Sequence, residues 1–132
     1  MLPEKPEPGS PADWLRRARS DLALACALLP PDVLYNELCF HAEQAAEKSI
    51  KAVLVERGIE SRKVHSIAYL LRLLPPDIPL PPEAAEAVSL TIYAVIARYP
   101  GDYEEITEEI YREAVRIARV VFTWAEQVIG PK

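Results

Sequence analysis

Four glycines, two cysteines and one methionine among 132 residues already exclude several kinds of protein. Glycine this scarce does not build a phosphate-cradling loop, and no GxSxG, HExxH or GxGxxG string occurs. Cys26 and Cys39 have neither CxxC spacing nor a companion histidine cluster, so a disulfide framework is not expected and both read as buried small hydrophobes. Runs of alternating β-branched and polar residues are missing, which removes the signal for strands. No stretch approaches the roughly 20 apolar residues that cross a bilayer, so no membrane partner is expected. A net charge of -5 gives no overall attraction to a nucleic-acid backbone, and any such contact must come from a local patch.

Proline, by contrast, is abundant at thirteen residues, and adjacent pairs fall at the breaks between apolar-periodic segments. Half the residues are hydrophobic and 27% are charged, the balance of a globular domain that holds a core without staples. Residues 1–10 carry prolines and Pro8-Gly9 without an apolar h-region, so they read as a flexible tail, not a secretory signal, ahead of one domain over 11–132. A cytoplasmic protein is the expectation. Arginine outnumbers lysine while asparagine, glutamine and methionine are few, a composition that leans toward a thermophile.

Five helices follow from the pattern. Ser10-Pro11-Ala12-Asp13 is an N-cap, a proline at the first helical position and an acidic residue at the third. From there Trp14, Leu15, Ala18, Leu22, Ala25 and Leu29 recur at steps of three and four until Pro30-Pro31. Asp32 is placed to cap a second, longest helix that runs to Arg57 and stops at Gly58, with an apolar set wide enough for a central position. Ile67 to Leu74 forms a short third helix. Pro82 opens a fourth that closes at Tyr99-Pro100-Gly101, and Thr107 caps a fifth that ends at Gly130-Pro131. The fold class is all-α, an up-and-down helical bundle of about five helices.

Two segments concentrate chemistry. On the second helix, His41, Gln44, Lys48 and Lys51 align along one flank, and Glu47 with Lys51 makes an i, i+4 pair of favourable orientation. As a solvated edge this flank needs no function, and its ion pair contributes about 0.3–0.5 kcal/mol. His41 has Leu38, not glutamate, three residues earlier, so the Glu-x-x-His pairs of a di-metal bundle are absent and no metal or cofactor is expected. At the end of the fourth helix, Arg98 meets exposed carbonyls and the helix dipole. Around it, Ala97 to Tyr103 gathers a guanidinium, two phenols and a carboxylate, groups suited to holding phosphate and stacking a base.

The run Phe40-His41-Ala42-Glu43-Gln44-Ala45-Ala46-Glu47-Lys48-Ser49-Ile50-Lys51-Ala52 and the later Ala97-Arg98-Tyr99-Pro100 together resemble the HEPN family, in a likeness that covers nearly everything after residue 10. The resemblance implies an up-and-down bundle that dimerises, a minimal nucleotidyltransferase as partner, and nucleotide or RNA as ligand. It also implies that catalytic members are metal-independent ribonucleases using an arginine followed, after four to six intervening residues, by a histidine. Arg98 matches that arginine, but Tyr103, Glu104 and Glu105 occupy the positions where the histidine belongs. Tyrosine titrates near about pH 10 and is a poor acid or base at neutral pH. His41 and His65 do not follow an arginine at that spacing and read as capping or partly buried residues. The expectation is therefore a non-catalytic, homodimeric HEPN protein that partners a minimal nucleotidyltransferase. Gln44, Glu47, Lys51, Arg98, Tyr99 and Tyr103 are its expected nucleotide-binding residues. The alternatives are a divergent ribonuclease or toxin of a two-gene toxin–antitoxin module, using Arg98 with Tyr103, and a structural helical adaptor.

Overall fold

The computed structural model describes residues 5–27, 32–96, 101 and 105–131, and every regular element among them is helical. The elements are α1 (Pro11–Ala25), α2 (Tyr35–Glu56), α3 (Ile67–Leu73), α4 (Pro82–Glu86), a 3₁₀ turn (Ala87–Leu90), α5 (Thr91–Ile96) and α6 (Glu108–Ile129).

The start of α1 follows the sequence closely. Ser10 Oγ accepts from the Asp13 amide at 3.2 Å, and Pro11 occupies the position where no amide donor is needed. Asp13 reaches back to the Gly9 amide at 3.0 Å and also accepts from Arg16 at 2.8 Å and Arg17 at 3.2 Å. The backbone amide of Gly9 first, then Arg16, hold its carboxyl down at about 2. Ser66 and Thr107 cap α3 and α6 in the same way, accepting from Tyr69 and Ile110.

Several features differ from the sequence reading, beginning with α1, which ends at Ala25 with Cys26 as its C-cap. The N-cap of α2 is Leu34, with no side-chain hydrogen bond, so Asp32 does not cap it and the helix begins at Tyr35. The fourth helix is not continuous: Ala87–Leu90 tightens into a 3₁₀ turn between α4 and α5. Nothing in the local sequence marks that change, since Ser89 alone interrupts an apolar, helix-compatible run. Cys39 is buried, as read, but Cys26 is exposed at the C-cap of α1, where Arg119 donates to its Sγ at 3.1 Å. The predicted stop at Tyr99-Pro100 lies outside the described residues.

At the centre lies α2, with α1 and α6 packed along it and α3, the 3₁₀ turn and α5 covering the rest. Its alanines at 42, 45, 46 and 52 are fully buried and bring neighbouring backbones close, while Ile50, Val53 and Leu54 fill the interior with Ile67, Leu70, Leu90 and Val121. The α6 register puts Ala114, Ile117, Ala118, Val121, Ala125 and Ile129 on one buried face. Trp124 is buried with them, and its indole N–H donates to the Pro79 carbonyl at 2.7 Å, pinning the proline connector to α6. Antiparallel α1 and α6 are tied at one end by Tyr111, whose hydroxyl donates to the Ala25 carbonyl, and further along by Arg19, which bonds Glu126 at 2.9 Å. No helix of the described residues is long and apolar enough to cross a membrane.

Candidate functional site

The polar flank read on the second helix is not a solvated edge. Glu43, Glu47 and Lys51 stand at steps of four on α2, 0%, 3% and 2% exposed, enclosed by α1 and by the loop between α2 and α3. Lys51 Nζ donates to Glu47 Oε2 at 3.0 Å and to the Arg62 carbonyl at 3.1 Å, and lies 5.4 Å from the centre of the Trp14 ring. That geometry gives the ammonium two oxygen acceptors and an aromatic face in place of water. His65, itself largely exposed, brings Nδ1 to 3.2 Å from the same Glu47 oxygen.

Glu43 completes the group from the interior side. Gln44 Nε2 donates to its Oε1 at 2.7 Å, while its Oε2 is buried with no hydrogen-bond partner. Burial, and then the adjacent Glu47 charge, push its carboxyl up to about 8. Burial thus favours the neutral form of Glu43 beside the Glu47–Lys51 pair.

A second polar knot joins α1 to α2. Asp21, 7% exposed, accepts from Lys48 Nζ at 2.6 Å and faces His41 Nδ1 at 3.0 Å with its other oxygen. Lys48 and His41, the other members of the predicted flank, are thus committed to α1. The partly buried reading of His41 fits this placement.

Of the six nucleotide-binding residues expected from sequence, Gln44, Glu47 and Lys51 are brought together on α2. Gln44 Nε2 is engaged by Glu43, Glu47 Oε2 by Lys51 and His65, and Lys51 Nζ also by the Arg62 carbonyl. Arg98, Tyr99 and Tyr103 lie outside the described residues. Sequence reading missed Glu43, Trp14 and Asp21 as members of these networks. The ladder Glu43-Glu47-Lys51 was visible as an i, i+4, i+8 series, but only the packing of α1 over it shows that it is buried.

The approach to Arg98 has a different character. α5, which precedes it in the chain, buries none of its residues. Val88, Ile92 and Val95 form an aliphatic row at spacings of four and three, 38%, 46% and 41% exposed. The chain thus carries exposed apolar surface just ahead of the arginine in sequence, while Glu43, Glu47 and Lys51 of α2 are enclosed.

A family model described as HEPN domain matches residues 11–128. The chain belongs to the HEPN family. This HEPN protein is also similar to the candidate toxin MJ1304 of Methanocaldococcus jannaschii, at 27% identity over 90% of each chain. Among solved structures, TT1696 from Thermus thermophilus superposes with a TM-score of 0.75 at 29% identity, over 91% of this chain and 98% of that one. ST0689, an archaeal HEPN homologue, superposes with a TM-score of 0.66 at 28% identity, over 92% of this chain and 98% of the other. The all-helical HEPN fold read from the sequence is the fold observed.

Proposed function

We propose that this HEPN protein is a non-catalytic homodimer that partners a minimal nucleotidyltransferase and presents Arg98, with Tyr99 and Tyr103, to a nucleotide or nucleic-acid substrate. The observation that carries this reading is the composition of the arginine motif: after Arg98, the positions a ribonuclease needs for histidine hold Tyr103, Glu104 and Glu105. Without a group that titrates near neutrality, the arginine retains its phosphate-binding chemistry but loses the acid or base that would move a ribose proton. The exposed aliphatic residues Val88, Ile92 and Val95 support dimerisation, because a second copy seated there covers apolar surface. Glu47 and Lys51 enter this reading as the buried support of α2, with the half-buried Gln44 beside them. ATP titrated into wild type and Arg98→Ala should differ in affinity by at least about 1.5 kcal/mol, the scale of a charged hydrogen bond. Equal affinities count against the site.

A second reading is favoured by one specific observation, the likeness to a candidate toxin over 90% of each chain. In it the protein is the toxin of a two-gene module and cuts RNA through Arg98 and Tyr103. Cleavage of RNA in EDTA that disappears in Arg98→Ala supports that reading; intact RNA removes it.

A further inference from the structure

The outer face of α6 carries a trough whose lining includes neither Arg98 nor Val88, Ile92 and Val95. Two adjoining grooves of about 520 and 500 Å³ meet at Arg119 and Val120. One is walled by Pro79, Leu80 and Pro81 opposite Trp124, and the other runs past Val115 and Tyr111 to Cys26. From Arg112 to Gln127 the lining follows one stripe of the helix, a length of about 22 Å at 1.5 Å per residue. The proline wall is held in place by the Trp124 bond to the Pro79 carbonyl, so the groove exists before anything binds.

Charge singles out one position along it. Among the described residues no aspartate or glutamate lines either groove, although the chain has 20 acidic residues and a net charge of -5. Three arginines do. Arg112 is neutralised by Glu108 at 2.7 Å, and Arg116 by Glu113 at 2.6 Å and Glu86 at 2.9 Å. Arg119, at the junction, has no carboxylate within ion-pair distance among the described residues; its one hydrogen bond goes to the Cys26 sulfur. A thiol is a weak acceptor, so the guanidinium keeps most of its capacity for a carboxylate.

We infer that this trough docks an acidic–aliphatic peptide segment of a partner protein, with one carboxylate on Arg119 and apolar side chains against Val120, Leu80 and the proline wall. A nucleic acid fits less well, because a polyanion draws its affinity from several free cations and two of the three arginines here are already paired. The dimensions suit a peptide: about 22 Å accommodates six or seven extended residues or four helical turns. The site is independent of the Arg98 reading, since it lies along α6 and shares no residue with it.

The test is panning of a phage-displayed random 12-residue peptide library on the intact protein. Enriched peptides should carry aspartate or glutamate flanked by leucine, isoleucine, valine or methionine. Synthetic copies should bind at least about tenfold more weakly to Arg119→Ala and to Val120→Glu, with Arg98→Ala binding them as wild type does. Far-UV circular dichroism and melting of each variant separate lost binding from lost fold; should Val120→Glu unfold, Arg119→Ala and Arg119→Gln carry the comparison. No enrichment, enrichment without acidic residues, or equal binding by Arg119→Ala overturns the proposal. Tighter binding of a 20-nucleotide oligoadenylate, abolished by Arg119→Ala, also overturns it in favour of nucleic acid. Loss of peptide binding in Arg98→Ala would show instead that the peptides occupy the motif face.

Discussion

Lys51 Nζ and Glu47 Oε2 lie 3.0 Å apart with both side chains almost wholly removed from solvent, and the two groups hold α2 to α1 and to the loop before α3. A pair that has left water is worth far more intact than halved. Lys51→Met leaves the Glu47 carboxylate with the exposed His65 as its remaining hydrogen-bond partner, and is expected to cost about 3–5 kcal/mol. Glu47→Leu combined with Lys51→Met should recover much of that loss. Urea unfolding of the two variants checks both, and a single variant within about 0.5 kcal/mol of wild type would place the pair in solvent.

Glu43 gives the bundle an unusual dependence on pH. Its folded carboxyl stands at about 8 against 4.5 unfolded, so between those values the unfolded chain releases a proton that the folded chain keeps. Stability contributed by the neutral form is complete below pH 4.5 and is lost as pH rises toward 8. Glu43→Gln, which cannot ionise, should melt close to wild type at pH 4.5 and several degrees higher at pH 8. Parallel melting curves for the two proteins across that range would contradict the burial of a protonated Glu43.

Asp13 acts in the opposite sense. Its carboxyl is held at about 2, below its ordinary 3.8, so the stability it contributes is present above pH 3.8 and fades as pH falls toward 2. Asp13→Asn should therefore narrow its gap from wild type over that acid range, as read by circular dichroism at fixed temperature.

Tyr111 closes the end of α1 from across the bundle, its hydroxyl donating to the Ala25 carbonyl and its ring 5.2 Å from that of Tyr35. Tyr111→Phe keeps the ring contact and removes one hydrogen bond. A loss of about 1 kcal/mol in chemical denaturation is expected, and no loss would mean that water satisfies the carbonyl equally well.

How much of this was legible in advance depends on the range of the interaction that decides it. The caps Ser10 and Thr107, the proline openings at Pro11 and Pro82 and the stop at Gly58 are local, and their neighbours in sequence determine them. Helix α6 shows its face by period alone. Glu47 and Lys51 illustrate the limit. The same i, i+4 spacing describes a surface pair or a buried one, and the difference lies in Trp14 and the Arg62 carbonyl, 37 and 11 residues from Lys51 in sequence. The 3₁₀ turn at Ala87–Leu90 and the exposure of Cys26 carry no comparable local mark in the sequence. The arginine motif was found by order and separation of residues, which is why it was readable as a family likeness and not from helix periodicity.

Whether a non-catalytic HEPN dimer serves a nucleotidyltransferase is tested most directly by affinity purification of the tagged protein from its native host, with proteins and nucleic acids identified in one eluate. The expected result is stoichiometric recovery of a small nucleotidyltransferase, lost when the tagged chain is unfolded, together with purified protein that leaves RNA intact in EDTA. Recovery without any nucleotidyltransferase, from a protein that cuts RNA in EDTA through Arg98, would contradict it.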